Sequence, residues 1–386
     1  MFKHSLSIVA ALALGTMVVS TSIPGVHAEA TQQHPQEIIV KFKPGASSSK
    51  AASLHAKAKG NVTSTNPKLG YQVVTVKKGQ SVKAAIATYK ADPQVEYVEP
   101  NGEIHAAFTP NDPKYSEQYA PQKVGAEAAW DVTKGSSEVK VAIVDTGVDY
   151  NHPDLAGKVE KGKDFIDNDN DPMDENSHGT HCAGITAAKT DNNEGIVGMA
   201  PEVTILAERV LDENGSGTWD SVASGITHAA DAGAKVISLS LGGSENSKAL
   251  EDAVKYAAGK GAVIVAAAGN ESTNAPSYPA YYDDAIAVAA TDQNDLKAYF
   301  SNFGDWVDVA APGVDILSTV PGGGYETMSG TSMATPLVAG EAALLASQGK
   351  SASDIRKAIE GTAEKIPGTG TDWIHGRIDA AKAVDQ

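Results

Sequence analysis

From residue 176 to 185 the chain reads NSHGTHCAGI, which sets His178, His181 and the chain's one cysteine, Cys182, within five positions. Positions i, i+3 and i+4 of a helix share a face, so the three side chains can converge there. Such a trio suits a zinc-centred hydrolase, or a cysteine nucleophile with His178 as its base. Zinc sites, however, usually take three or more protein ligands, and no second Cys or His motif stands near in sequence. A cysteine one turn into a helix and bounded by small residues is usually buried.

Two distant segments offer a third chemistry. The apolar run VKVAIV ends in Asp145-Thr146-Gly147, a carboxylate where a strand stops and the chain turns. Alone, an Asp before a turn is ordinary. In SGTSMATP, Ser332 opens an Ala- and Leu-rich helix, where the macrodipole favours developing negative charge. With His178 these supply an orienting carboxylate, a base and a nucleophile, in the chain order Asp, His, Ser. Ser332 is followed by Met333-Ala334 and begins a helix without a preceding nucleophile-elbow strand, which sets an esterase of the GxSxG type aside.

The stretch before the histidine, KDFIDNDNDPMDEN, spaces Asp164, Asp167, Asp169 and Asp171 closely enough to offer calcium several hard oxygens, although the Gly and distal Glu of an EF-hand are missing. Charge is unevenly placed. Residues 29–107 hold 10 lysines against 6 acids (+4), and residues 108–386 hold 20 basic against 42 acidic side chains (−22). So acidic a surface argues against nucleic acid as a partner and suits a protein that gathers cations. With one cysteine there is no internal disulfide, and stability must come from the core, from metal ions, or from both.

Groups this far apart in sequence need a sheet to assemble them. VKVAIVD, VTILAERVL, AKVISLSL, GAVIVAAA, AIAVAA and WVDVAAP are short runs rich in Val, Ile and Ala, which predicts strands covered on both faces. Among them lie HGTHCAGITAAK, TWDSVASGITHAADAG and SKALEDAVKYAAGKG, and later SMATPLVAGEAALLASQG, all of helical period. The pattern predicts an α/β fold with a doubly wound, mainly parallel sheet and its chemistry at the carboxyl ends of the strands. Residues 37–104 form a separate small module, with strands EIIVKF, YQVVTV and VEYVEP and helices ASSSKAASLHAKA and SVKAAIATYKA. Beyond it, EIHAAFTPNDP reads as an exposed linker open to proteolysis. At the start, Lys3 and His4 precede the apolar SIVAALALGTMVV, and Val26-His27-Ala28 offers small residues to a signal peptidase. That apolar run is shorter than the ~20 residues a membrane span needs.

VAIVDTGVD, HGTHCAG, AAAGN and GTSMATP occur in order and at the right spacing. On these motifs residues 108–386 resemble the secreted subtilisin-like serine proteases, most closely the thermitase branch, and residues 37–104 resemble the family's inhibitory propeptide, a ferredoxin-like α+β domain. The resemblance implies a secreted, extracellular serine endopeptidase made as a self-processing zymogen. Residues 1–28 would be its signal peptide, 29–107 a propeptide acting as chaperone and inhibitor, and 108–386 a monomeric catalytic domain freed near the Ala107/Phe108 bond. Its partners would be polypeptide substrates, with no membrane partner.

The same resemblance assigns catalysis to Asp145, His178 and Ser332, with Asn270 as an oxyanion donor. It leaves His181 structural and Cys182 buried beneath the base. Substrate backbone would pair with Ser240-Leu241-Gly242 on one side and Gly215-Ser216-Gly217 on the other. Ala267, Ala268 and Gly269 would wall an S1 pocket for large apolar side chains, with Glu271 at its rim. Calcium is implied at Asp112, Asp154 and Asn192 with the carbonyls of Lys189, Glu194 and Ile196, and again at the loop of Asp164, Asp167, Asp169 and Asp171, where Met173 replaces an expected polar ligand. Leu337 stands where many members have His, outside the proton relay. Beside this reading stand a zinc hydrolase built on His178, His181 and Cys182, and an inactive protease-like binding module.

Overall fold

The computed structural model describes residues 37–102 and 108–386, so the expected signal segment and Ala107 of the expected cleavage bond lie outside the described residues. The chain divides into two compact units, Met1–Ile104 and His105–Gln386.

In the first unit the elements are β1 (Glu37–Phe42), α1 (Ser48–Lys57), β2 (Gly60–Thr65), β3 (Tyr71–Val76), α2 (Val82–Lys90) and β4 (Val95–Pro100). The strands lie in the order β2-β3-β1-β4, all antiparallel, which is the ferredoxin-like arrangement. Alternation in β1 and β3 buries Ile38, Val40, Val74 and Val76 against Leu54 and Ala58 of the first helical segment and Ala85 and Tyr89 of α2. Ser47 and Ser81 cap the helices by accepting the N–H groups of Lys50 and Ala84. The sequence pattern misses β2, because GNVTST is exposed along nearly its whole length at the sheet's edge and carries no apolar period.

The second unit continues with α3 (Tyr119–Lys123), α4 (Ala126–Val132), β5 (Lys140–Asp145), β6 (Val159–Asp164), α5 (His178–Ala187), β7 (Thr204–Arg209), α6 (Trp219–Asp231), β8 (Val236–Leu239), α7 (Lys248–Gly259), β9 (Val263–Ala267), β10 (Ala285–Thr291), β11 (Val309–Pro312), a hairpin of β12 (Ile316–Val320) and β13 (Gly324–Met328), α8 (Thr331–Ser347), α9 (Ala352–Thr362), β14 (Gly376–Arg377) and α10 (Ala380–Val384). Eight strands form one parallel sheet in the order β14-β11-β10-β9-β8-β5-β7-β6. Along β5, Val141 and Ile143 join the core made with α5 and α8, while Ala142 and Val144 join the core made with α6 and α7. Both faces are therefore covered, which is why these strands read as unbroken apolar runs. Among the described residues no helix is long and apolar enough to cross a membrane.

Helix α8 crosses the sheet buried on nearly every side, from Thr331 to Leu345. It carries Pro336 one turn after Ser332. Lacking an N–H, Pro336 cannot return a hydrogen bond to the Ser332 carbonyl. That carbonyl instead accepts the Ser240 hydroxyl at 2.8 Å and the Cys182 thiol at 3.4 Å, which ties the helix head to the residue after β8 and to the middle of α5.

Candidate active site

At the end of β5 the Asp145 side chain is 1% exposed, and its Oδ1 accepts the Thr146 N–H at 2.7 Å and meets Nδ1 of His178 at 2.7 Å. His178 opens α5. Asn176 caps that helix by accepting the His178 N–H at 3.3 Å, whereas Ser177 sits at a φ of 107° and makes no side-chain cap. A Cβ on Gly179 would fall 2.1 Å from the Gly147 carbonyl oxygen, so glycine is what allows the helix head to rest on the strand end. Burial works against the His178 imidazolium, but the charge and hydrogen bond of Asp145, joined by the charge of Asp174, outweigh it and hold the imidazole above its ordinary pKa. Asp145 thereby fixes the Nδ1–H tautomer and leaves Nε2 as the basic nitrogen.

Ser332 is the second residue of α8, and its hydroxyl donates to the Ser240 carbonyl at 3.1 Å. Its backbone N–H is one of the orphan donors of the first helical turn. Asn270 follows β9 through Gly269, which takes a φ of 103°. The Thr331 N–H and hydroxyl donate to Asn270 Oδ1 at 2.9 and 3.0 Å, so the other end of that amide, Nδ2, is left to donate into the pocket shared with Ser332.

His178, His181 and Cys182 do not assemble as a ligand set. His181 Nε2 faces the Glu326 carbonyl at 3.0 Å, and burial lowers its pKa to about 4, so this histidine is neutral and structural. Cys182 is fully buried, and burial pushes its thiol well above its ordinary value, which makes it neither a thiolate ligand nor an activated nucleophile. One ligand atom each of Asp145, His178 and Cys182 lies within 4.8 Å of the others.

Two cavities flank the segment after β8. One, of about 590 Å³, is lined by His178, Gly215, Gly217, Ser240, Leu241 and Gly242 among others, and the second, of about 280 Å³, by Gly242, Ala267, Gly269, Asn270, Glu271 and Ser332 among others. Among the described residues the backbone groups of Leu241, Gly242 and Gly217 find no hydrogen-bond partner, as expected of edges that a peptide would complete. Glu271 is exposed and accepts a hydrogen bond from Asn302 at 2.8 Å.

The expected calcium residues separate into two cases. Asp112 and Asp154 are both buried, and Asp112 feels the charge of Asp154. Burial pushes the Asp112 carboxyl up, against the N–H donors that hold it down, and its Oδ1 has no partner. Asn192 lies beside Asp154, donating to it at 2.8 Å, and the carbonyl oxygens of Lys189, Glu194 and Ile196 accept no hydrogen bond among the described residues. A hard cation fits this set of spare oxygens. The other loop is different. Arg209 draws Asp164 and Asp167 to itself at 2.7 and 2.8 Å, Asp169 accepts the Asp171 N–H at 2.8 Å, and Asp171 pairs with Lys161 at 3.0 Å. Among the described residues these four acids do not form one cluster of ligand atoms, and cationic side chains of this chain engage three of them.

Sequence reasoning passed over three residues that hold the site in shape. Asn302, 1% exposed, accepts the Glu271 and Thr273 N–H groups and donates to the Ala268 carbonyl, bracing the turn that carries Asn270. Thr331 orients Asn270, as described. Asp174 orders the turn before His178. Each is a polar residue next to a turn, so no local signal separates it from an ordinary cap.

A parallel sheet whose edge presents Asp145 and Asn270 around a helix headed by Ser332 is the architecture of an α/β serine protease. Residues 136–377 match the model of the subtilase family, and residues 21–101 match the fervidolysin N-terminal prodomain. The chain belongs to the subtilase family and is a subtilisin-type serine protease with an N-terminal prodomain. It is 64% identical to thermitase from Thermoactinomyces vulgaris over 72% of this chain and 99% of that protein. It is 53% identical to the thermophilic serine proteinase of Bacillus sp. strain AK1, over 90% of this chain and 87% of that one. A solved protease from Pseudoalteromonas arctica superposes with a TM-score of 0.66 at 32% identity, covering 72% of this chain and 99% of that one.

Proposed function

We propose that the chain is a secreted preproenzyme that processes itself into a calcium-stabilised serine endopeptidase of broad specificity. The observation that carries this reading is the 2.7 Å contact of Asp145 with His178 at the sheet edge, together with a helix whose second residue is Ser332. Ser332 Oγ attacks the peptide carbonyl as His178 takes its proton, and Asp145 steadies the imidazolium. Asn270 Nδ2 and the Ser332 N–H receive the oxyanion; loss of one such donor costs about 100- to 1000-fold, a magnitude known from subtilisin itself. His178 then returns the proton to the leaving amine, and water repeats the sequence on the acyl-enzyme. Substrate backbone is held between Gly217 and Leu241-Gly242, a contact indifferent to side-chain identity, and the smaller cavity takes large apolar residues at P1. Release outside the cell is supported by the signal-like first 28 residues.

The test is where the enzyme can be poisoned. A fluorophosphonate should stop proteolysis with one adduct on Ser332. Cys182→Val should stay active and become resistant to small mercurials, which in the parental enzyme should inactivate slowly by displacing the imidazole above the sulfur. Complete loss of activity in Cys182→Val, with no serine adduct, would restore the cysteine nucleophile.

Calcium held by Asp112, Asp154, Asn192 and the carbonyls of Lys189, Glu194 and Ile196 would supply charge that neutralises two buried carboxylates beside the loop following α5. A ligand bound only by the folded state adds roughly 2.7 kcal/mol at about 100 times its dissociation constant. Chelated enzyme should therefore cleave normally at moderate temperature but inactivate and digest itself much faster on heating, and calcium should restore its lifetime where equimolar zinc does not. Unchanged heat inactivation after metal analysis has verified removal would mean that no stabilising cation is held there.

A further inference from the structure

Asp174 lies in the turn before α5, is 4% exposed, and has no part in the chemistry above. Five donors converge on its carboxylate. Oδ1 accepts the Thr146 hydroxyl at 2.8 Å and the N–H groups of Asn176 and Ser177 at 2.9 and 3.0 Å. Oδ2 accepts the N–H and hydroxyl of Thr180 at 2.9 and 2.6 Å. The Thr146 hydroxyl accepts the Gly179 N–H at 2.9 Å on its other side, and the Thr146 N–H donates to Asp145 Oδ1 at 2.7 Å. The residue that follows Asp145 and the residue that follows His178 are thus joined through one oxygen.

We propose that Asp174 is a positioning residue of the catalytic centre, holding the Thr146 hydroxyl in the orientation that clamps the head of α5 to the end of β5 and so sets the distance from His178 to Asp145. A hydroxyl has one proton, and committing it to a carboxylate turns the oxygen's lone pairs toward the Gly179 N–H. Charge-assisted bonds are about twice as strong as neutral ones, which makes a buried carboxylate a better anchor than a second hydroxyl. Placement at this point matters, because a ~1 Å error in a catalytic contact can cost about 100-fold. The titratable groups around the His178 ring are Asp145 from β5, Asp174 from the turn, and His181 and Cys182 from α5 itself, with Arg209 of β7 engaged by Asp164, Asp167 and Glu175. Asp174 therefore also contributes negative charge that favours the imidazolium.

The inference rests on the triad reading, and three variants of the mature enzyme, processed in trans, test it separately. Thr146→Val, nearly isosteric, should lower kcat about 10- to 100-fold with KM little changed, and Thr146→Ser should restore most of it. Asp174→Asn should lower kcat and move the acid limb of the kcat/KM profile to lower pH, since a negative charge that favours the imidazolium is gone. A folded Asp174→Asn enzyme with parental kcat and an unmoved acid limb overturns the proposal. If that variant does not fold, equal kcat values for Thr146→Val and Thr146→Ser overturn it. A failed triad reading looks different: the parental enzyme itself would then ignore the fluorophosphonate.

Discussion

Ser332→Ala is expected to abolish proteolysis, with a fall in kcat of about a millionfold, the size known for loss of the subtilisin nucleophile, and to accumulate as a proform beginning near Glu29. The two outcomes share one cause. Alanine is the best helix former at the head of α8, and the one bond lost is the Ser332 hydroxyl to the Ser240 carbonyl, worth about 1 kcal/mol. The fold should therefore survive, and the missing activity belongs to chemistry. If the chain cuts itself near Ala107/Phe108, a protein without a nucleophile keeps its propeptide. Opposite net charges of +4 and −22 on the two segments would favour their staying together, modestly at physiological salt. The measurement is intact mass and N-terminal sequencing of the secreted protein from a host lacking other extracellular proteases. A normally trimmed Ser332→Ala protein removes self-processing and leaves the triad untouched. Residual activity on casein at even about 1% of the parental rate would instead remove Ser332 as the nucleophile.

How much of this was legible in the sequence follows from where each signal is generated. Asp145, His178, Ser332 and Asn270 each stand where an apolar strand or helix begins or ends, so their position is written locally. The central strands β5, β7, β8, β9 and β10 are buried on both faces and announce themselves as apolar runs. The sheet edges do not. β6, VEKGKD, carries the charges that protect an exposed edge and so reads as loop, and β14 is two residues long. Partnership was the least legible property. The spacing of Asp164, Asp167, Asp169 and Asp171 suggests a cage, but Arg209, more than 40 residues later, claims two of them. The work of Asp174 is likewise invisible until Thr146, 28 residues earlier, is brought against it.

The largest stability effect is expected from Glu341, which no local pattern singles out. It lies in the middle of α8 and is fully buried, and neither carboxyl oxygen has a partner among the described residues. Burial, with a smaller contribution from the Asp379 charge, pushes its pKa from 4.5 up to about 8. In the unfolded chain the group ionises near its ordinary value, while in the fold it stays protonated until about pH 8. Between those limits the folded state binds more protons than the unfolded one, so stability falls as pH rises and levels off above about pH 8. The cumulative loss is roughly 5 kcal/mol, at 1.36 kcal/mol per pKa unit. Glu341→Gln keeps the shape and removes the titration, so its advantage over the parental enzyme should be smallest near pH 4.5, grow steadily to about pH 8 and then stay constant. Glu341→Leu should add a pH-independent gain of about 1–3 kcal/mol, because a buried polar group without a partner is removed as well. Guanidinium unfolding of the fluorophosphonate-blocked enzyme across this pH range, free of self-digestion, measures both. Parental and Glu341→Gln curves that run parallel from pH 5 to pH 8 would mean that Glu341 is already ionised and solvated in the fold.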